Sequence, residues 1–154
     1  MIKNLVVLLL AAWGCIPAVA AAAPTTFDPV IGRALLCHDQ IDPVYFKDYL
    51  IRFYKTPYKT EGEAYWFKPD PEQKLYDLTL ADIFVSTEGS RYSFLGVVFK
   101  EDLTAARKKM QDLKGISFLP FSGETVLRSA QGSFLLEYNN TQSKLYCLKY
   151  RVHP

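Results

Sequence analysis

The chain has 154 residues, of which 49% are hydrophobic, 14% aromatic and 22% charged, a content too apolar for a disordered chain. Its formal net charge is only +2 at pH 7, and basic and acidic residues are interspersed. This balance argues against nucleic acid or an anionic membrane as the partner, because both require a concentrated basic patch.

Residues 1–22 have the pattern of an export signal. Lys3 supplies a positive start, residues 5–16 form a short apolar stretch, and Ala18-Val19-Ala20 is the small-residue pattern after which signal peptidase cuts. We therefore predict cleavage after Ala20 or Ala22 and a mature protein in the periplasm or outside the cell.

Two alternatives concern the same segment. The chain could be lipidated at Cys15, but Trp13 stands where lipoproteins have a small or aliphatic residue. It could also keep the segment as a membrane anchor, but Gly14 and Pro17 interrupt the apolar run well short of the roughly 20 residues that a spanning helix needs. We expect no stable membrane insertion after cleavage.

Residues 23–154 suit a single domain and retain two cysteines, Cys37 and Cys147. In an oxidising compartment such a pair predicts one structural disulfide, for which chain entropy allows on the order of 4 to 5 kcal/mol. A free thiol or a redox role is the alternative. The cysteines lack the Cys-x-x-Cys spacing typical of redox pairs.

The sequence of the first half of the mature chain predicts two helices followed by three strands. Asp28-Pro29 can begin a short helix that reaches about Leu36, although Gly32 weakens it. Asp42-Pro43 begins a clearer helix that ends before Pro57 and carries Phe46, Tyr49, Leu50 and Phe53 on one face. Residues 64–68 then predict a short strand, and residues 78–86 and 91–99 predict a hairpin.

The second half has the same order of elements. Asp102 caps a helix that Gly115 ends, with Leu103, Ala106, Met110 and Leu113 along one side. Strands follow at residues 116–119, 125–129, 132–138 and 144–152, and the last two form a hairpin through residues 139–142.

This order predicts an α+β fold, a two-layer sandwich in which an antiparallel sheet of about six strands carries two amphipathic helices on one face. A single offset aligns Tyr65-Trp66 with Phe118-Leu119 and Ser90-Arg91-Tyr92 with Ser143-Lys144-Leu145. We interpret the two halves as a duplicated α-β-β-β unit.

The sequence contains no recognisable catalytic, cofactor-binding or metal-binding motif, and we predict none of these sites. The two histidines, His38 and His153, are more typical of surface positions than of a catalytic arrangement. Glu61 and Glu63 flank Gly62 in a predicted loop, where solvated charge is the more common role.

One segment concentrates aromatic and basic residues. Tyr54, Tyr58, Lys59, Tyr65 and Trp66 lie within residues 54–68, a mixture common in protein interfaces and carbohydrate sites. Core packing alone also explains the cluster, and strand alternation would send Trp66 to the face opposite Tyr65. We predict these five residues as the partner-binding patch.

The favoured function is a non-enzymatic exported binding protein that acts on a protein partner. Inhibitors of cell-wall lysozymes and immunity proteins against delivered toxins are also small exported α+β domains with one disulfide, and the chain resembles them at that general level. Two alternatives remain: a small envelope hydrolase with a site built from Glu61, Glu63, Asp70 or His38, and a structural accessory protein that pairs through an edge strand.

Overall fold

The computed structural model describes residues 26–151. The predicted export signal over residues 1–22, the alternative lipidation site Cys15 and the histidine His153 all lie outside the described residues. Within residues 26–151, no helix has the length and apolar character needed to cross a bilayer.

Three α-helices form in this range: α1 (Arg33–Leu35), α2 (Pro43–Tyr54) and α3 (Leu103–Lys114). The Asp42 carboxylate accepts hydrogen bonds from two backbone amides at the start of α2, and Asp102 does the same for one amide at the start of α3. Gly115 ends α3 in the left-handed conformation, with φ of 64°. The predicted starts of both long helices are therefore confirmed.

The prediction of two helices was one too few. A π-helical turn (Asp28–Gly32) runs directly into α1, so the short N-terminal helix forms despite its glycine. Gly32 is buried, and a Cβ atom there would come within 2.6 Å of the Tyr76 hydroxyl. The Tyr76 side chain therefore packs directly against the glycine, and this packing offsets the low helix propensity of Gly32.

Within the described residues, nine strands form one antiparallel sheet, so the prediction of about six strands was too low. The strands are β1 (Lys59–Glu61), β2 (Ala64–Phe67), β3 (Lys74–Leu75), β4 (Leu78–Ser86), β5 (Tyr92–Phe99), β6 (Phe118–Ser122), β7 (Val126–Ser129), β8 (Phe134–Asn139) and β9 (Gln142–Tyr150). Their order across the sheet is β1-β2-β4-β5-β9-β8-β7-β6, and β3 pairs with β4. The α+β class is as predicted.

The two halves of the chain meet at the centre of this sheet. Each half contributes one long helix and a four-stranded run to the main strand order, and β5 pairs with β9 from Tyr92 opposite Tyr150 to Phe99 opposite Ser143. Each half therefore places four strands in this order, where we predicted three. The sequence offset aligned β2 with β6. These strands are not equivalent, because β2 is the second strand of the N-terminal half and β6 is the first strand of the C-terminal half.

All three helices contribute to one apolar layer against the same face of the sheet. The layer contains Leu35 from α1, Leu50 from α2 and Met110 from α3, each fully buried. These side chains meet alternate residues of the central strands, namely Phe67, Ile83, Val85, Leu95, Val97, Phe99, Leu145 and Cys147. This layer is the main hydrophobic core, and it lies on the helix side of the sheet.

The predicted disulfide is present between Cys37 and Cys147, with 5.3 Å between their Cα atoms. Cys37 follows the end of α1, and Cys147 is a fully buried residue of the central strand β9. The bond spans 110 residues and fixes the N-terminal helical segment to the last strand. A disulfide of this kind indicates an oxidising compartment.

We expect the double variant Cys37→Ala, Cys147→Ala to remain folded but to lose about 2 to 4 kcal/mol of unfolding free energy, because the closed loop is long. Urea unfolding of the variant and of the oxidised parent measures the difference. The reduced parent serves as the control and should behave like the variant. Equal stability of variant and oxidised parent would contradict this role.

Met110→Asp should unfold the domain or lower its stability by several kcal/mol, because the carboxylate would enter the core without a partner (~3 kcal/mol or more). Gln111→Asp is the matched control, since it adds the same charge to an exposed position of α3. Thermal unfolding followed by circular dichroism distinguishes them. An unchanged melting temperature in Met110→Asp would show that α3 is not packed as described.

Candidate functional site

The face of the sheet opposite the helices is rich in aromatic residues and has no helix over it in the described part of the chain. Because successive residues of a strand point to opposite faces, each strand that supplies the core also supplies this second face. We call it the open face. Its residues include Trp66, Phe84, Phe94, Phe121, Phe134, Leu136, Tyr138, Lys144 and Tyr146.

The rings of the open face contact one another across neighbouring strands. Trp66 stacks on Phe84 with ring centres 4.8 Å apart, and Phe134 stacks on Tyr146 at 5.3 Å. At the β6 edge, Phe121 meets Phe134 edge to face at 5.4 Å. Such pairs add to the stability from area burial alone, so the rings hold one another in fixed positions.

A glycine in the central strand β5 allows one of these rings to lie flat on the sheet. A Cβ atom at Gly96 would come within 2.0 Å of the Phe84 ring. The ring of Phe84 therefore occupies the space above the glycine backbone, next to Trp66. Any larger residue at position 96 would displace Phe84 and change the surface around it.

The open face contains a pocket of about 430 Å³. It is lined by Glu61, Gly62, Ala64, Trp66, Phe84, Phe94, Leu136, Tyr138, Lys144, Tyr146 and Leu148. We call it the aromatic pocket. Its volume falls in the range of about 300 to 1,000 Å³ that is typical of ligand sites, and its walls are mostly apolar with a few polar groups.

Lys144 projects from β9 into the aromatic pocket. Its ammonium nitrogen lies 4.7 Å from the ring centre of Tyr138, 5.0 Å from that of Phe84 and 5.5 Å from that of Trp66. Burial, and to a smaller extent the positive charge of Lys59, lower the pKa of Lys144 below its usual 10.5. Among the described residues, no carboxylate forms a salt bridge with it.

The other lysines around the pocket have acidic partners. Lys59 lies 2.7 Å from the Glu61 carboxylate, and Lys68 lies 2.7 Å from the Asp82 carboxylate. The Tyr58 hydroxyl also donates to Asp82, at 2.8 Å. Lys144 therefore differs from its basic neighbours, since ring faces surround it instead of an acid.

The five residues predicted as the binding patch lie on two sides of the sheet. Tyr58, Lys59 and Trp66 lie at the open face, where Lys59 approaches the Trp66 ring at 4.5 Å. Tyr54 is buried in the core, where Gln73 donates to its hydroxyl at 2.5 Å. Tyr65 lies on the helix side. The segment 54–68 is thus not one continuous surface.

Tyr65 takes part in a small network that joins α2 to the β4–β5 turn. Its hydroxyl donates to Glu88 at 2.8 Å, and Lys47 pairs with the same carboxylate at 2.7 Å. The hydrogen bond from Lys47 is the largest cause that lowers the pKa of Glu88 to about 2. These contacts give Tyr65 a role in attaching α2 to the sheet.

Sequence reasoning missed the half of the pocket that comes from the C-terminal hairpin. Leu136 and Tyr138 from β8, and Lys144 and Tyr146 from β9, complete the wall that faces Trp66. A signal was present in the sequence, because aromatic or long aliphatic residues alternate with core residues in both strands. The separation of these strands from β2 in the chain concealed the contact.

The residues considered for a hydrolase are distributed over separate places. Glu61 lines the aromatic pocket but is paired with Lys59, and Glu63 occupies the β1–β2 turn with φ of 58°. Asp70 lies in the loop before β3, and His38 lines a different cavity beside Lys114 and Ser117. Within residues 26–151, no group of three or more histidine, cysteine or acidic side chains is placed to hold a metal ion.

Comparison of the chain with protein-family models, with curated proteins and with solved structures finds no match. The open face and the aromatic pocket are the features of the protein that indicate a function.

Lys144→Met should leave the free energy of unfolding within about 1 kcal/mol of the parent value, because the lost ring contacts and the relieved burial of a charge offset each other. Because the pKa of Lys144 is lower in the folded protein, the unfolded chain binds the ammonium proton more tightly. The destabilisation caused by burying this charge is therefore present at neutral pH, and it disappears as the pH rises to 10.5.

Lys149→Met is the matched control in the same strand. Lys149 donates to the backbone oxygen of Asp39 at 3.1 Å, and its loss should lower stability by about 1 kcal/mol or more. Urea unfolding at neutral pH measures both variants. If Lys144→Met proves the more damaging of the two, Lys144 is a structural residue rather than a binding residue.

Proposed function

We propose that this protein is a non-enzymatic binding module of the periplasm or cell exterior that contacts a protein partner through the open face of its sheet. The observation that carries the proposal is the row of mutually packed rings on a face that no described helix covers. A sheet that needed only a core would present polar residues there.

The composition of the open face supports a protein as the partner. Tyrosine, tryptophan and phenylalanine are enriched in protein interfaces and supply much of their binding energy, while basic residues at the rim guide approach. Tyr58, Phe121 and Tyr138 are 47%, 56% and 41% exposed, so their rings are available for contact. Exposed aromatic side chains on an uncovered sheet face often mark an interaction site.

The mode of action that fits these features is blocking by shape, as an inhibitor or an immunity-type module does. The rings lie on strands of a sheet whose other face is packed, so the surface is formed before the partner arrives. A preformed surface loses little conformational entropy on binding. The disulfide, which indicates an oxidising compartment, is consistent with action outside the cytoplasm.

Partner binding by strand addition is less well supported by the edges of the sheet. Edge strand β1 has three residues, all polar or charged, and edge strand β6 contains Pro120, which has no amide hydrogen to donate. Short or proline-containing edges discourage pairing with another chain. We therefore favour the open face over the edges as the contact surface.

Tyr138→Ala and Tyr58→Ala should each reduce capture of the partner from envelope extracts by about fivefold or more, which corresponds to roughly 1 kcal/mol per anchor. Tyr45→Ala is the matched control, because Tyr45 is a 52% exposed tyrosine on α2, away from the open face. Quantitative mass spectrometry compares the proteins retained by the parent and by each variant.

Melting temperatures of the same variants separate loss of binding from loss of folding. The proposal requires that both open-face variants melt close to the parent while the captured protein decreases. It would be wrong if every protein retained by the parent were retained equally by both open-face variants, or if Tyr45→Ala reduced capture to the same extent.

A further inference from the structure

The open face has more positive charge than its own acids neutralise. Lys59 and Lys68 are paired with Glu61 and Asp82, as described above. Two further basic residues on this face, Lys144 and Arg128, form no salt bridge with any described residue. The surface thus has two positions that favour a negative charge from outside the described chain.

Both of these cations lie over aromatic rings. Lys144 is surrounded by Tyr138, Phe84 and Trp66 in the aromatic pocket. The guanidinium carbon of Arg128 lies 5.2 Å from the ring centre of Phe121 and 5.4 Å from that of Phe134, in the row of rings that continues toward the β6 edge. Each position therefore places a charge beside a surface suited to an apolar group.

The aromatic rings around Lys144 make its attraction to a negatively charged group stronger than that of an ordinary surface lysine. Rings exclude part of the surrounding water, and the attraction between opposite charges is stronger where water is excluded. Charge-assisted hydrogen bonds are also stronger than neutral ones. Glu61, the one carboxylate among the pocket-lining residues, is paired with Lys59 and forms no salt bridge with Lys144.

We propose that the aromatic pocket receives an acidic side chain of the protein partner, whose carboxylate pairs with Lys144 while neighbouring apolar side chains of the same segment pack against the partly exposed Phe94, Leu136 and Tyr146. This assignment rests on the proposed function, since it names the chemistry of the segment that the open face binds. Arg128 takes a second carboxylate of that segment.

The two separate cations favour acidic side chains over a chain terminus, because a C-terminal carboxylate can neutralise only one of them. The pocket walls favour a peptide over an acidic polysaccharide. Sugars present many hydroxyl groups that need hydrogen-bonding partners, whereas Ala64, Phe84, Phe94, Leu136 and Leu148 offer only apolar surface. A segment in which acidic and apolar residues alternate fits both properties.

The probe for this proposal is the peptide Ac-Glu-Phe-Glu-Phe-Glu-NH2, with Ac-Gln-Phe-Gln-Phe-Gln-NH2 as its neutral counterpart. Binding to the mature protein is measured by calorimetry and by the fluorescence of Trp66, which lines the pocket. We expect the acidic peptide to bind at least tenfold more tightly than the neutral one, and the difference to shrink as salt is added.

Lys144→Met should weaken binding of the acidic peptide at least tenfold and leave that of the neutral peptide unchanged. Lys108→Met is the matched control, because Lys108 is an exposed residue of α3 that pairs only with Asp112. It should bind both peptides as the parent does. The cycle of two proteins and two peptides isolates the contact between Lys144 and a carboxylate.

Several results would overturn the assignment. These are equal binding of the two peptides, failure of both to bind, an unchanged affinity in Lys144→Met, and an equal loss in Lys108→Met. If Ac-Gln-Phe-Gln-Phe-OH binds as tightly as the acidic peptide and depends on Lys144, the ligand group is a chain terminus. If oligogalacturonate binds in a Lys144-dependent way and the acidic peptide does not, the ligand is a polysaccharide.

The capture experiment separates this assignment from the proposed function. If open-face variants lose the captured partner but the peptides show no dependence on Lys144, the binding module stands and the acidic subsite is wrong. If capture is insensitive to the open face, the proposed function itself is wrong.

Discussion

The register between β5 and β9 determines which side chains reach each face of the sheet. Leu95 lies opposite Cys147 and Val97 opposite Leu145, and these residues enter the core. Gly96 lies opposite Tyr146, and both belong to the open face. A slip of one residue in β9 would turn Tyr146 into the core and move Cys147 away from Cys37, so packing and the disulfide fix the same register.

The fixed register makes the binding surface a consequence of the core. Residues that pack under the helices alternate with residues of the open face along the same strands, so neither set can shift alone. Binding groups on strands that are packed on their other face are held more accurately than groups on loops. Lys144 illustrates this, since its neighbours Ser143 and Leu145 are buried on the opposite side.

Local signals were sufficient to predict much of the fold. Asp42 and Asp102 satisfy free amides at helix starts, and Gly115 takes the left-handed conformation that ends a helix, so short sequence patterns located both long helices. The strand β1 was missed because its three residues, Lys59–Glu61, are polar and show no alternation of apolar and polar side chains. It forms because β2 provides a neighbour for it.

The candidate site was less accessible to prediction, because it depends on contacts between distant parts of the chain. Trp66 meets Lys144 only because β4 and β5 lie between β2 and β9, the strand of the C-terminal hairpin that carries Lys144. Sequence proximity grouped Tyr54 and Tyr65 with Trp66, although the three side chains do not share a face. The alternation of side chains along β2 predicts that Tyr65 and Trp66 lie on opposite faces. The sequence does not show that β8 and β9 complete the pocket around Trp66.

The position of the disulfide also has a consequence for the order of events during synthesis. Domains begin to fold from the N-terminus as the chain is made, but the thiol of Cys37 has to remain unreacted until 110 further residues have followed it. Its partner belongs to β9, the last strand within residues 26–151, which is also the strand that joins the two halves. A chain that stops before Cys147 therefore cannot form this bond.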